Sequence, residues 1–133
     1  MTYFLIDDDM DDQEIFCMAV KEVDASVSCI FANDGIKGLA ALANEQFMPD
    51  CIFIDLNMPR MNGNECLVEI KKIHRLSHIP VIIYSTSSDQ KLISKSMELG
   101  ASDFIVKPPG FKTLTDILRE IIQKQIANSG GTR

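Results

Sequence analysis

Five short apolar, β-prone runs recur along the chain, at Tyr3 to Ile6, Val27 to Phe31, Cys51 to Ile54, Val81 to Tyr84 and Phe104 to Val106. Helical patterns separate them. Such runs, apolar on both faces, read as buried strands of a parallel sheet, and the segments between them are long enough for the crossovers that parallel neighbours require. The alternation therefore predicts an α/β fold, a doubly wound sheet of five parallel strands covered by helices on both faces.

The last helix has the clearest pattern. Leu114, Ile117, Leu118, Ile121, Ile122 and Ile126 repeat at three- and four-residue spacing and make one apolar stripe that should lie on the sheet. The other helices are expected at about 10–22, 35–46, 63–73 and 89–99. Asn62 followed by Glu65 has the form of a capping box opening the third, and Gly100 suits the end of the fourth. In Ser85-Thr86-Ser87-Ser88 one hydroxyl, at Ser87 or Ser88, is expected to cap the fourth helix. Asn128 to Arg133 carries no apolar residue to bury and reads as a disordered tail after a single domain spanning 1–127.

Composition narrows the function. The 133 residues, 46% hydrophobic and 24% charged, suit one domain with a real core and leave no room for a second. Apolar runs fall well short of the roughly 18 residues of a membrane span, and no signal-peptide pattern opens the chain, so a cytoplasmic protein is expected, with no membrane partner. A net charge of −6 argues against nonspecific nucleic-acid binding. Cys17, Cys29, Cys51 and Cys66 stand among apolar residues without C-x-x-C spacing and read as small buried hydrophobes. His74 and His78 have H-x₃-H spacing, but Pro80 follows at once, so no helix should span both and they read as surface residues. Asp34-Gly35-Ile36-Lys37-Gly38 matches neither phosphate-loop pattern and reads as a turn and helix start.

In an open parallel sheet, chemistry gathers outside the carboxyl ends of the strands. Here strand one ends in Asp7-Asp8-Asp9, strand three in Asp55-Leu56-Asn57, strand four in Ser85-Thr86 and strand five in Lys107-Pro108. Taken alone, the stretch FLIDDDMDDQE could be an acidic helix start, a metal site or both. Beside Asp55, Ser85 and Lys107 it reads as the equipment of a Mg²⁺-assisted phosphoryl site. Carboxylates about 5 Å apart repel by roughly 3 kcal/mol per pair at an effective dielectric of about 20, so a cluster must hold a metal, hold a proton or spread. Oxygen-only ligands suit Mg²⁺, and Lys107 and Ser85 could meet the oxygens of a phosphoryl group. Asp9, Asp11 and Asp12 suit the first helical turn and read as surface charge there.

The motif set, DD after strand one, D-x-N-M-P-x-M-N-G around Asp55, S-T after strand four and K-P after strand five, resembles the receiver domain of two-component response regulators. The resemblance covers about residues 2–126 and implies the strand order 2-1-3-4-5 with five helices, the flavodoxin-like arrangement that the chemotaxis member of the same family also has. Carried over by position, it implies Asp55 as phosphoacceptor, Asp8 as direct Mg²⁺ ligand, Asp7 as the acidic residue that helps hold the metal, and Asn57 as a backbone-carbonyl ligand. Ser85 takes the place of the switching hydroxyl, Phe104 that of the aromatic switch, and Lys107 that of the lysine that pairs with a phosphoryl oxygen. Family members typically keep the bond into the proline at Pro108 in cis.

The resemblance further implies a non-enzymatic, stand-alone signalling domain that is phosphorylated by a sensor histidine kinase or histidine phosphotransfer protein. It would act on an unknown downstream protein through a surface of the fourth helix, fifth strand and fifth helix, with a homodimer compatible. Pro109-Gly110 after Lys107-Pro108, and Thr86-Ser87, depart from the commonest pattern. A Mg²⁺-dependent aspartyl phosphatase of the haloacid-dehalogenase kind is the enzymatic alternative. It is disfavoured, because Asp55-Leu56-Asn57 lacks that family's second aspartate and no substrate cap is expected.

Overall fold

A computed structural model describes residues 1–131. The five strands are β1 (Thr2–Ile6), β2 (Ser28–Ala32), β3 (Cys51–Ile54), β4 (Val81–Ser85) and β5 (Asp103–Val106). All pair in parallel, in the order β2-β1-β3-β4-β5. The helices are α1 (Met10–Val23), α2 (Gly35–Leu42), α3 (Gly63–Lys71), α4 (Gln90–Glu98) and α5 (Phe111–Gly131), with a one-turn 3₁₀ helix at His74–Leu76 before β4. The expected fold class and strand order are thus the observed ones.

Because side chains alternate across a strand, each strand feeds two cores. Phe4, Ile6, Ile52, Ile54, Val81 and Ile83 point to the side packed by Leu42 of α2 and Leu67 and Ile70 of α3. Tyr3, Leu5, Cys51, Phe53, Ile82 and Tyr84 point to the other, against Phe16 and Val20 of α1 and Leu114, Leu118 and Ile122 of α5. The central strands β1 and β3 are buried almost throughout, which explains their continuous apolar runs.

Local signals account for several boundaries. The Asn62 side chain accepts from Glu65 N–H at 2.9 Å while Glu65 accepts from Asn62 N–H at 3.0 Å, completing the expected capping box. Gly100 follows α4 with φ +106°, a conformation costly for any residue with a Cβ. The α4 cap is not a serine: helical geometry starts at Gln90, so Asp89 caps it by accepting from Lys91 N–H at 2.9 Å, and Ser87 Oγ accepts from Asp89 N–H one step earlier. α2 stops at Leu42, four residues short of the expected end. The Arg75 guanidinium reaches across to the carbonyls of Leu42, Asn44 and Phe47 and satisfies them in a non-helical path.

The α5 stripe buries Leu114, Leu118 and Ile122, but Ile126 is 52% exposed because the helix has run past the sheet. At that level Gln125 takes over the contact, accepting from the Tyr3 hydroxyl and donating to Asp50 O at 2.9 Å. Helical backbone continues to Gly131, through the first part of the stretch expected as a tail; Thr132 and Arg133 lie outside the described residues. Cys51 and Cys66 are buried as expected, whereas Cys17 and Cys29 are only half-buried, since α1 and the edge strand β2 leave their sides partly open. His74 and His78 are both exposed and share no helix. Among the described residues no helix is long and apolar enough to cross a membrane.

Candidate functional site

The site lies at the carboxyl edge of the sheet, where the central strands hand over to loops. Asp7 and Asp55 continue the hydrogen-bond ladder one residue past β1 and β3: Asp7 N–H donates to Ala32 O at 3.0 Å and Asp55 N–H to Ile6 O at 2.9 Å. Two rigid neighbouring strands therefore fix the two carboxylates side by side. Asp8, first of the exposed turn into α1, supplies the third. One carboxylate oxygen from each of Asp7, Asp8 and Asp55 lies within 4.8 Å of the others.

The loops around this cluster are held from several directions. Asp9 N–H donates to Asp7 Oδ1 at 2.9 Å, and Gln13 Nε2 donates to Asp7 O at 2.7 Å and to Asn33 Oδ1 at 2.9 Å. The Asp9 side chain caps α1 by accepting from Asp11 and Asp12 N–H. Gly63 brings α3 so close to the end of β3 that a Cβ there would stand 2.5 Å from Asp55 O, and its own N–H donates to Leu56 O at 2.8 Å. Met61 and Arg60 close the same side: Met61 packs on Gly35, and Arg60 pairs with Asp34, the α2 cap, at 3.1 Å.

Lys107 enters from the end of β5, where its N–H donates to Ser85 O at 2.6 Å. Its ammonium is nearly buried and meets Asp12 at 2.7 Å, Asp7 at 3.0 Å and Asp55 at 3.6 Å, with the Tyr84 ring centroid 5.0 Å away. Burial opposes its charge, but the hydrogen bonds to Asp12 and Asp7 outweigh that and hold Lys107 protonated well above the usual lysine range.

Asp7 is fully buried and Asp55 is 7% exposed. Burial is the main reason that the Asp55 carboxyl is pushed up to about 7; Lys107 opposes the rise, while Asp7 and Asp8 add to it. Burial likewise raises Asp7, against the pull of the Asp9 N–H and Lys107. A cluster so averse to its own charge, with oxygen donors only and this spacing, fits a hard divalent cation.

The residues singled out from sequence fall into two groups. Asp7, Asp8, Asp55 and Lys107 converge. Ser85 lies fully buried at the end of β4 with its Oγ accepting from Ser87 N–H at 3.2 Å, and it makes no hydrogen bond to Asp55. Phe104, the second residue of β5, is half-buried against the core on the α2–α3 side. Asn57 stands two residues after Asp55 in the loop, and its backbone N–H acts weakly against the rise of the Asp55 carboxyl. The Lys107–Pro108 bond is trans rather than cis, as are all others among the described residues. Trans is the ordinary preference even before proline, and in that form Lys107 already reaches its carboxylates.

One partner is not legible in the sequence. Asp12, which by position reads as surface charge on the first helical turn, makes the shortest contact to Lys107, 95 residues away. Only its place in the first turn of α1, directly after the acidic end of β1, hints that its side chain could face the same place.

A family model described as the response regulator receiver domain matches residues 4–119, the span that holds every one of these groups. The chain belongs to that family. Among known receiver proteins, a two-component response regulator of Oryza sativa subsp. japonica is 32% identical over 117 residues, which are 88% of this chain and 94% of that one. A protein-glutamate methylesterase/protein-glutamine glutaminase of Rhodospirillum rubrum is 37% identical over 131 residues, 96% of this chain but 34% of that protein. A sensor histidine kinase CheAY of Helicobacter pylori matches at 27% over 118 residues, 89% of this chain and 14% of its own length. The chain thus spans only a minor part of these two longer relatives. Among solved structures, the phosphorylated cyanobacterial phytochrome response regulator RcpA superposes with a TM-score of 0.84 at 29% identity, over 96% of this chain and 94% of that one. The Mn²⁺-bound response regulator Rcp1 gives 0.75 at 29% identity, over 90% of each. The receiver domain is a unit of two-component phosphorelay signalling.

Proposed function

We propose that this receiver domain accepts a phosphoryl group on Asp55 from a phosphohistidine of a sensor histidine kinase or histidine phosphotransfer protein, with Mg²⁺ held by Asp7, Asp8, Asp55 and the Asn57 carbonyl. The observation that carries the reading is the juxtaposition itself: a buried strand-end carboxylate with two more within 4.8 Å and an ammonium 3.6 Å away. An Asp55 oxygen attacks phosphorus as the phosphorus–nitrogen bond to imidazole breaks, its electron pair remaining on nitrogen. Mg²⁺, when bound, supplies charge neutralisation for the incoming oxygens. Lys107 holds a further phosphoryl oxygen, and burial of Asp55 keeps that ion pair out of water.

Ser85 and Phe104 are the response elements. Turning the Ser85 hydroxyl toward the phosphoryl group costs only its bond from Ser87 N–H, and the room it vacates lets half-buried Phe104 move inward. Partners then read the α4–β5–α5 face, in a signalling role without turnover of external substrate, in the cytoplasm. The test is phosphorylation by a small phosphodonor such as acetyl phosphate with Mg²⁺. Hydroxylamine-labile phosphate should appear on the wild type and be lost in Asp55→Asn and in EDTA. Undiminished labelling of Asp55→Asn removes the assignment.

A further inference from the structure

We propose that Asp12 is a positioning residue of this site: it holds the Lys107 ammonium in the unphosphorylated state and competes with the phosphoryl group for it. The inference rests on the phosphoacceptor reading of Asp55 and adds a group that the metal cluster does not include.

An ammonium has three N–H donors and no acceptor. In the resting protein two of them are used at hydrogen-bond distance, on Asp12 at 2.7 Å and Asp7 at 3.0 Å, while Asp55 stands at 3.6 Å. The tightest contact of Lys107 therefore goes to a carboxylate with no place among the clustered oxygens. Phosphorylation adds oxygens on Asp55, the partner that Lys107 holds most loosely and that its third donor faces from 3.6 Å; drawing the ammonium toward those oxygens pulls it away from Asp12 and Asp7, and the contact that yields more easily lengthens.

Asp7 is the poor candidate to let go. It is fully buried, tied by Asp9 N–H and bound to the carboxylate cluster. The Asp12 side chain is one-third exposed and borders an open groove lined with Ile15, Tyr84, Pro109 and Phe111, so water can take over its oxygens at little cost. Its backbone stays fixed by the bond from its N–H to Asp9 Oδ1 at 3.1 Å. Release of Lys107 by Asp12 is thus a side-chain event that leaves α1 in place. After release, Asp7 and the Tyr84 ring still orient the ammonium.

Beryllofluoride, which mimics a phosphoryl group on a carboxylate, tests this at saturating Mg²⁺ by calorimetric titration of wild type, Asp12→Asn, Asp12→Glu and Asp11→Asn. Asp11 has the same charge on the same turn but is not among the carboxylates paired with Lys107, which are Asp7, Asp12 and Asp55. Removing the competitor should tighten binding roughly three- to tenfold in Asp12→Asn, where tenfold is about 1.4 kcal/mol. Asp12→Glu should return toward wild type, Asp11→Asn should stay within about twofold, and the ¹⁵Nζ resonance of Lys107 should move in Asp12→Asn alone. Unchanged or weaker binding by Asp12→Asn overturns the proposal, as does an equal gain in Asp11→Asn, which would mean general charge. Failure of the wild type to bind beryllofluoride at all removes the Asp55 reading and this one with it.

Discussion

Replacing Asp55 by asparagine should make the metal-free protein more stable, and the gain should depend on pH in one direction only. The Asp55 carboxyl is pushed up to about 7 from an ordinary 3.8, chiefly by burial. Between those values the folded chain binds a proton that the unfolded chain releases, so wild-type stability falls as pH rises through that window and levels off above about 7. At 1.36 kcal/mol per decade of proton affinity, the interval corresponds to about 4 kcal/mol at pH 8. Asparagine carries no charge but fits the hydrogen bonds of the site less well, so we expect a gain of about 2–4 kcal/mol at pH 8 in EDTA, shrinking toward zero near pH 4. Urea unfolding at pH 4.5, 6 and 8 reads this directly as a shift in midpoint at constant slope. Mg²⁺ at a hundred times its dissociation constant should return about 2.7 kcal/mol to the wild type and little to the variant, closing the gap. A variant that is less stable than wild type at pH 8 in EDTA, or equally stabilised at pH 4.5, would refute the reasoning that the buried carboxylate is held against its own charge.

Further outcomes follow from the surroundings of the site. Gly63→Ala should destabilise by about 1–3 kcal/mol and weaken Mg²⁺ binding, since the new methyl meets Asp55 O at 2.5 Å and Leu56 Cα at 2.8 Å, both backbone; chemical unfolding and a Mg²⁺ titration check it, and a neutral effect on both would contradict the close approach. Asn62→Ala removes one half of the α3 capping box and should cost about 1 kcal/mol in the same unfolding assay, with phosphorylation retained. Mg²⁺ binding should tighten with rising pH up to about 7 and release protons below it, measurable by titration in buffers of different ionisation enthalpy, because Asp55 must lose its proton to serve as ligand.

The parts of this molecule that can be read from the chain are those decided locally. Ile52, Phe53 and Ile54 announce a buried strand because both of their faces are covered, and Asn62 with Glu65 announces a helix start within four residues. Strand order is available only through family resemblance, since nothing in the run Tyr3 to Ile6 says which strands flank it. Asp7, Asp8, Asp55 and Lys107 are recognisable by their places at strand ends. Asp12 is not, because its role depends on a lysine 95 residues on. The end of α2 is hidden for the same reason: Arg75, 33 residues beyond Leu42, supplies the donor that makes leaving the helix tolerable. Ser87 and Ser88 look like caps in the sequence, but the loop after β4 is longer than its hydroxyls suggest, and Asp89 is the first residue in position.

The bond between Lys107 and Asp7 joins residues 100 apart in the chain. Closing so long a span carries an entropic cost that the strands paired between the two residues must offset. Three carboxylates are gathered at the ends of β1 and β3, which pair with each other directly, without β5 between or beside them. The cation that balances them arrives with the last strand. Without β5 in place, the acidic edge would lack this counter-charge. Docking of β5 completes both the sheet and the charge balance, so a competent site is also a report that the whole domain has folded.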